Sequence, residues 1–266
     1  MIWRKLTLYL FIADTWRDWR QIITDYSERH LQYDADRLPA LSGAATRHHQ
    51  ITKSRYLAGL WEHDIAYQLC WRVGTGSLED IKLAYPHHQY LASSWFWVSI
   101  FQPVLYERSA TDASFHQGLT IIDVQCEVPG LNPFGQVTEG YIRLRGKVVK
   151  IHVTYNGTVK YFKHRVEEWT AGRFSPDYTL VHEDGSVVRA TRGQTPPSRF
   201  TGSAVCLFIG VMDKMEMREE ATDFALVLQR SDSENDTFHR IGLLQGEHID
   251  GYSLFEAAPD REICII

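Results

Sequence analysis

What most restricts the fold of this chain is a change of hydrophobic period near Gly76. Upstream of it apolar residues recur at helical spacing, whereas downstream short β-branched and aromatic runs are separated by turn residues. Trp16, Trp19, Ile23, Tyr26 and His30 fall on one side of a helix, and Arg17, Asp18, Gln21, Asp25 and Glu28 on the other. Asp14 or Thr15 is a candidate N-cap, with Asp18 near the positive end of the helix dipole. A second helix is expected to open at Asp34-Ala35-Asp36-Arg37-Leu38-Pro39 and to run through Ala40, Leu41, Ala44 and Ala45 toward His48. Proline in a first turn costs no internal hydrogen bond. A third carries Trp61, Ile65, Leu69 and Arg72 and stops at Gly74-Thr75-Gly76.

Beyond Gly76 the expected strands are Ser94–Ser99, Val104–Arg108, Leu119–Val128, Tyr141–Thr154, Thr158–Lys163, Thr179–His182, Ser186–Ala190, Ala204–Met212, Phe224–Gln229, His239–Leu244 and Glu262–Ile266. Tyr155-Asn156-Gly157-Thr158 signals a hairpin, because Asn-Gly accepts the positive φ angles of a type I′ turn, and Glu183-Asp184-Gly185-Ser186 signals another. Gly193 to Gly202, with Pro196-Pro197, reads as a loop. The expected fold class is therefore α+β. A short helical segment over residues 1–76 packs on a larger antiparallel β-sandwich or barrel over residues 77–266.

Charge and composition exclude several function classes. With 28 Lys and Arg against 33 Asp and Glu the formal net charge is −5, and such a field repels a phosphate backbone; no nucleic-acid partner is expected. Residues 141–192 carry ten basic side chains against five acids and residues 213–262 thirteen acids against five basic ones, which suggests a basic face for an acidic partner or nucleotide, or solvated strand faces of opposite sign. Cys70, Cys126, Cys206 and Cys264 lie too far apart for a CxxC pair or zinc ribbon, and they read as buried residues of a reducing compartment. Met1 to Ala13 imitates a secretory leader, but Asp14 interrupts the apolar run and no small-x-small cleavage site follows. No run reaches the roughly 18 apolar residues of a membrane span. Asn156-Gly157-Thr158 and Asn235-Asp236-Thr237 are chance-level glycosylation triplets. A cytoplasmic protein without membrane contact is expected.

No constellation amounts to an active site. Trp95 and Trp97, at alternate positions of an expected strand with Tyr90 before them, suggest either a stacking platform for a sugar or base or the wall of a packed interface. Asp36-Arg37 suggests a charged pair at a pocket, or a helix cap with an ion pair. His48-His49 and His87-His88 lack the i, i+4 spacing that brings two imidazoles to one ion, and His63-Asp64 beside Glu62 is a weak acid–base pair. Ser27 and Ser42-Gly43 lack a nucleophile elbow, and Gly74-Thr75-Gly76 follows a helix rather than a phosphate-binding strand. No catalytic, cofactor-binding or metal residue is assigned, and no cofactor is expected.

Several blocks carry a resemblance. Trp19 to Arg29, Asp36-Arg37-Leu38-Pro39-Ala40-Leu41-Ser42-Gly43, Tyr56-Leu57-Ala58-Gly59-Leu60-Trp61 and Leu69-Cys70-Trp71 resemble, in order and spacing, the segment following the HET core in fungal heterokaryon incompatibility proteins. Tyr90 to Ser99 is similar to that family's Tyr-Arg-Ala-Pro-Ser-Trp-Ser-Trp-Ala-Ser block, with Ala92-Ser93 and Phe96 as departures. Asn132-Pro133-Phe134-Gly135, Leu144-Arg145-Gly146 and His239-Arg240-Ile241-Gly242 resemble weaker later motifs. The family's Rossmann-like, TIR-related half has no counterpart here, so the sequence reads as the later part of a longer protein, and any TIR-like activity would lie upstream. The resemblance implies a role in non-self recognition and programmed cell death by protein–protein contact, with an upstream HET core or another protein as partner. The helices with Trp19, Tyr26 and Trp61 are the expected contact. The alternatives are a small-ligand-binding β-barrel or enzyme with its site near Trp95 and Trp97, and a truncated, inactive remnant.

Overall fold

The computed structural model describes residues 2–29, 31–74, 92–100, 102–107, 115–154, 158–163, 167–177, 201–213, 221–231, 236–248 and 254–266. Helix α1 spans Ile2–Ser27. It starts upstream of the expected Asp14 cap, because nothing from Leu6 to Ala13 breaks a helix. Short 3-10 turns at Asp34–Asp36 and Pro39–Leu41 lead into α2, Ser42–Thr52. Strands β1 (Tyr56–Leu57) and β2 (Leu60–Trp61) form a hairpin whose two turn residues, Ala58 and Gly59, both have positive φ, 49° and 97°. A 3-10 turn over Glu62–Asp64 precedes α3, which covers only Ile65–Gln68. The expected third helix is thus a single turn. Trp61 is held in the hairpin opposite Tyr56, and Arg72 in β3 (Arg72–Val73) pairs with β4 (Val104–Leu105).

The remaining strands are β5 (Phe115–Gln117), β6 (Thr120–Glu127), β7 (Glu139–Thr154), β8 (Thr158–Lys163), β9 (Glu167–Pro176), β10 (Thr201–Met212), β11 (Ala221–Arg230), β12 (Thr237–His248) and β13 (Asp260–Ile265). The pairings β7–β8, β8–β9, β9–β12, β12–β11, β11–β10 and β10–β7 are antiparallel and return to their start, so six strands close into a ring. The long β7 makes this possible. Its first half lies between β6 and β13, and its second half between β10 and β8. Among the described residues the one parallel pairing joins β12 to β13 at Thr237↔Cys264 and Phe238↔Ile265. The expected α+β architecture is observed, with β1, β2, β3, β5 and β9 in addition. Thr179–His182, Ser186–Ala190, both Asp/Asn-Gly turns and most of the 193–202 loop lie outside the described residues, although Thr154 does stand opposite Thr158.

Alternation along the strands divides the core. Ile151, Val153, Phe174, Ala204, Cys206, Ala225, Val227, Ile241 and Leu244 face inward from five strands and fill the ring. The alternate residues, among them Leu207, Ile209, Phe224, Leu226 and Leu228, join Trp19, Trp61, Trp71, Trp95 and Trp97 in one continuous cluster. The helical segment therefore shares its core with the outer face of the sheet, and β11 is buried on both faces.

Candidate functional site

The segment 93–99 is not a strand. It forms a turn followed by a 3-10 turn at Trp97–Ser99. Trp95, Phe96 and Trp97 are all 0% exposed. Polar groups of the same segment fasten it to the sheet. Ser93 Oγ donates to the Gly140 carbonyl, the Ser94 N–H donates to the Ile266 carbonyl at 3.1 Å, and the Arg240 N–H donates to Ser94 Oγ at 2.9 Å. Trp71 Nε1 donates to the Trp95 carbonyl at 3.3 Å.

Two buried arginines complete the junction. The Arg37 guanidinium donates through Nη1 to the carbonyls of Val98 (3.1 Å) and Ile100 and lies 5.3 Å from the Trp97 ring centre. Tyr26 OH donates to the Arg37 carbonyl at 2.8 Å. Asp36, in contrast, faces solvent, so Asp36-Arg37 is not a charged pair at a pocket. Arg240, on β12 and 0% exposed, stacks on Trp71 at 3.3 Å and donates to the carbonyls of Leu69 (2.7 Å) and Trp71. Its Nε donates to Asp177 Oδ2 at 2.8 Å and its Nη2 to Oδ1 at 3.3 Å. Burial pushes the Asp177 carboxyl up, with the guanidinium pulling the other way. One side chain thus ties β12, the end of β9 and the strand-like turn after α3 together. The sequence signal was an arginine among the apolar residues Phe238 and Ile241 of a strand, where a solvent-facing alternation would not place it.

The histidines form a stack instead of a metal site. His48 lies against Trp61 (4.4 Å between ring centres) and Trp16 (4.8 Å), with His63 beyond Trp16 at 5.4 Å and His49 beyond Trp61 at 6.4 Å. Desolvation lowers the His48 pKa to about 4, so its imidazole is neutral at pH 7. His63 gains no acid–base partner from Asp64, which accepts from the buried Arg20 and, at 3.3 Å, from Gln68 Nε2. Glu62 pairs with Arg55 at 3.7 Å. Ser27 Oγ donates to the Thr24 carbonyl and accepts from the Val104 N–H, and Ser42 Oγ donates to the Pro39 carbonyl; both hydroxyls serve the backbone. Burial raises the Cys70 and Cys206 thiols and pushes Cys126 up to about 12, which makes them inert at neutral pH. His87-His88, Tyr90 and Thr75-Gly76 lie outside the described residues.

Among the described residues no group of three His, Cys, Asp or Glu could hold a metal ion, and no helix is long and apolar enough to cross a membrane. The enclosed indoles of Trp95 and Trp97 leave no open face on which a sugar or base could stack. Trp19 and Trp61 are likewise 0% exposed, so the helices expected to meet a partner spend these side chains on the chain's own core. Comparisons with protein-family models, with curated proteins and with solved structures find no match.

Proposed function

We propose that this chain is a recognition and scaffolding unit resembling the region after the HET core of fungal heterokaryon incompatibility proteins. In this reading it contributes to non-self recognition and programmed cell death through protein–protein contact, with a HET-core domain or another protein as partner and no catalytic site of its own. The observation that supports it is where the resembling residues lie. Arg37, Trp71, Ser94, Trp95, Trp97 and Arg240 are joined to one another or to backbone carbonyls in the junction between helical segment and sheet. Side chains consumed in this way build a rigid support. A ligand pocket would leave some of them open to solvent.

The test is binding and growth. The full chain is titrated calorimetrically with a purified HET-core domain of a fungal incompatibility protein, and the two are co-expressed in a filamentous fungus. Micromolar or tighter binding is expected, together with altered growth arrest when the chain is present. No heat up to about 100 µM and unchanged growth would refute the reading.

A further inference from the structure

With Trp19 and Trp61 enclosed, a contact surface must lie elsewhere on the molecule. The connection from β6 to β7, residues 128–138, has the properties of one. Leu131 at its tip is 106% exposed, against 61% for the next most exposed large apolar side chain, Tyr33. Pro129 and Pro133 beside it are also in water. The tip is nonetheless held in place. The Phe134 N–H donates to Asn132 Oδ1 at 3.0 Å and the Gly135 N–H to the Asn132 carbonyl at 2.9 Å, while the buried Phe134 ring meets Tyr56 at 5.2 Å and His49 at 5.9 Å. An apolar anchor on a braced loop loses little conformational freedom on binding.

Charge at the base of the loop says what kind of partner fits. Glu127 and Glu139 stand opposite one another in the β6–β7 register, both exposed and on the same face. Neither has an opposite charge in ion-pair distance among the described residues. Like charges directly opposite are unfavourable, and a cation placed between them removes the repulsion. A twofold contact between two copies would instead bring four carboxylates together.

We infer that the 128–138 loop is the docking element for a partner protein with an apolar socket for Leu131 and lysine or arginine at the socket's rim. This rests on the protein-contact reading above, for which it supplies the surface. The test places a photo-crosslinking amino acid singly at Tyr33, Ile51, Ile122 or Leu131 of the full chain expressed in a filamentous fungus. Any protein captured through position 131 is then purified and titrated against the full chain. The expected result is an adduct at 131 that disappears in E127K/E139K, and a purified partner whose affinity falls at least about tenfold in L131A. L131A replaces an exposed side chain and should leave the melting temperature unchanged. Adducts only at the other positions, or none at any of them, would overturn this surface; the calorimetric titration above decides whether protein contact stands. An adduct at 131 that persists in E127K/E139K, or a purified partner that binds L131A as tightly as the unaltered chain, would overturn the proposal as well.

Discussion

Replacing Arg240 by methionine tests the junction most directly. The substitution keeps a long apolar stem but removes every donor, leaving the Asp177 carboxylate, 1% exposed, without its partner and the Leu69 and Trp71 carbonyls without their donor. The carbonyls cost about 1 kcal/mol each at any pH. The carboxylate is different, because it can escape by taking up a proton. Its unfolded pKa is about 3.9, so holding it protonated costs ~1.4 kcal/mol for every pH unit above that: about 4 kcal/mol at pH 7 and about 1.5 kcal/mol at pH 5. The folded variant binds the extra proton, hence its stability falls as pH rises. Because burial already raises this carboxyl in the unaltered protein, urea denaturation of Arg240→Met at constant slope should show a loss of at most about 6 kcal/mol at pH 7 that shrinks to at most about 3.5 kcal/mol at pH 5. Adding Asp177→Leu should remove the pH-dependent part. A loss under about 1.5 kcal/mol at pH 7, or one equal at both pH values, would refute the assignment of Arg240 as the buried clamp.

Three further outcomes are expected. Trp61→Ala, which empties a fully buried site between Trp19, His48 and Tyr56, should cost about 3–5 kcal/mol in chemical denaturation. Gly59→Ala must adopt a φ near 97° and would place a Cβ 2.5 Å from Trp97 Nε1; a loss of about 2–4 kcal/mol is expected by the same measurement, and a neutral result would contradict the hairpin geometry. Because the folded pKa of His48 lies below its ordinary value, the unfolded chain binds more protons between pH 4 and 6.5, and stability should decline as pH falls through that window. His48→Phe should flatten this part of the pH–stability curve, and an unchanged curve would show that His48 does not titrate between the two states.

Local patterns were legible in the sequence. Trp16, Trp19 and Ile23 did form the buried side of a helix, and most strands fell where period-2 runs placed them, because both signals depend on neighbours a few residues apart. The errors share a cause. Trp61 to Arg72 has helical spacing and Ser94–Ser99 has strand spacing, yet in both stretches nearly every large side chain is buried, so the residues that made the spacing are not the only buried ones and the spacing does not select the conformation. Other features were decided only by tertiary structure. Closure of the ring depends on β7 changing partners halfway along its length, and the parallel pairing of β12 with β13 joins strands whose match is a matter of register. The arginines are the sharpest case. Arg37 and Arg240 find backbone carbonyls 61 to 171 residues away in sequence, and a carbonyl is common to every residue, so nothing in the side-chain alphabet marks it as a partner until the chain has folded.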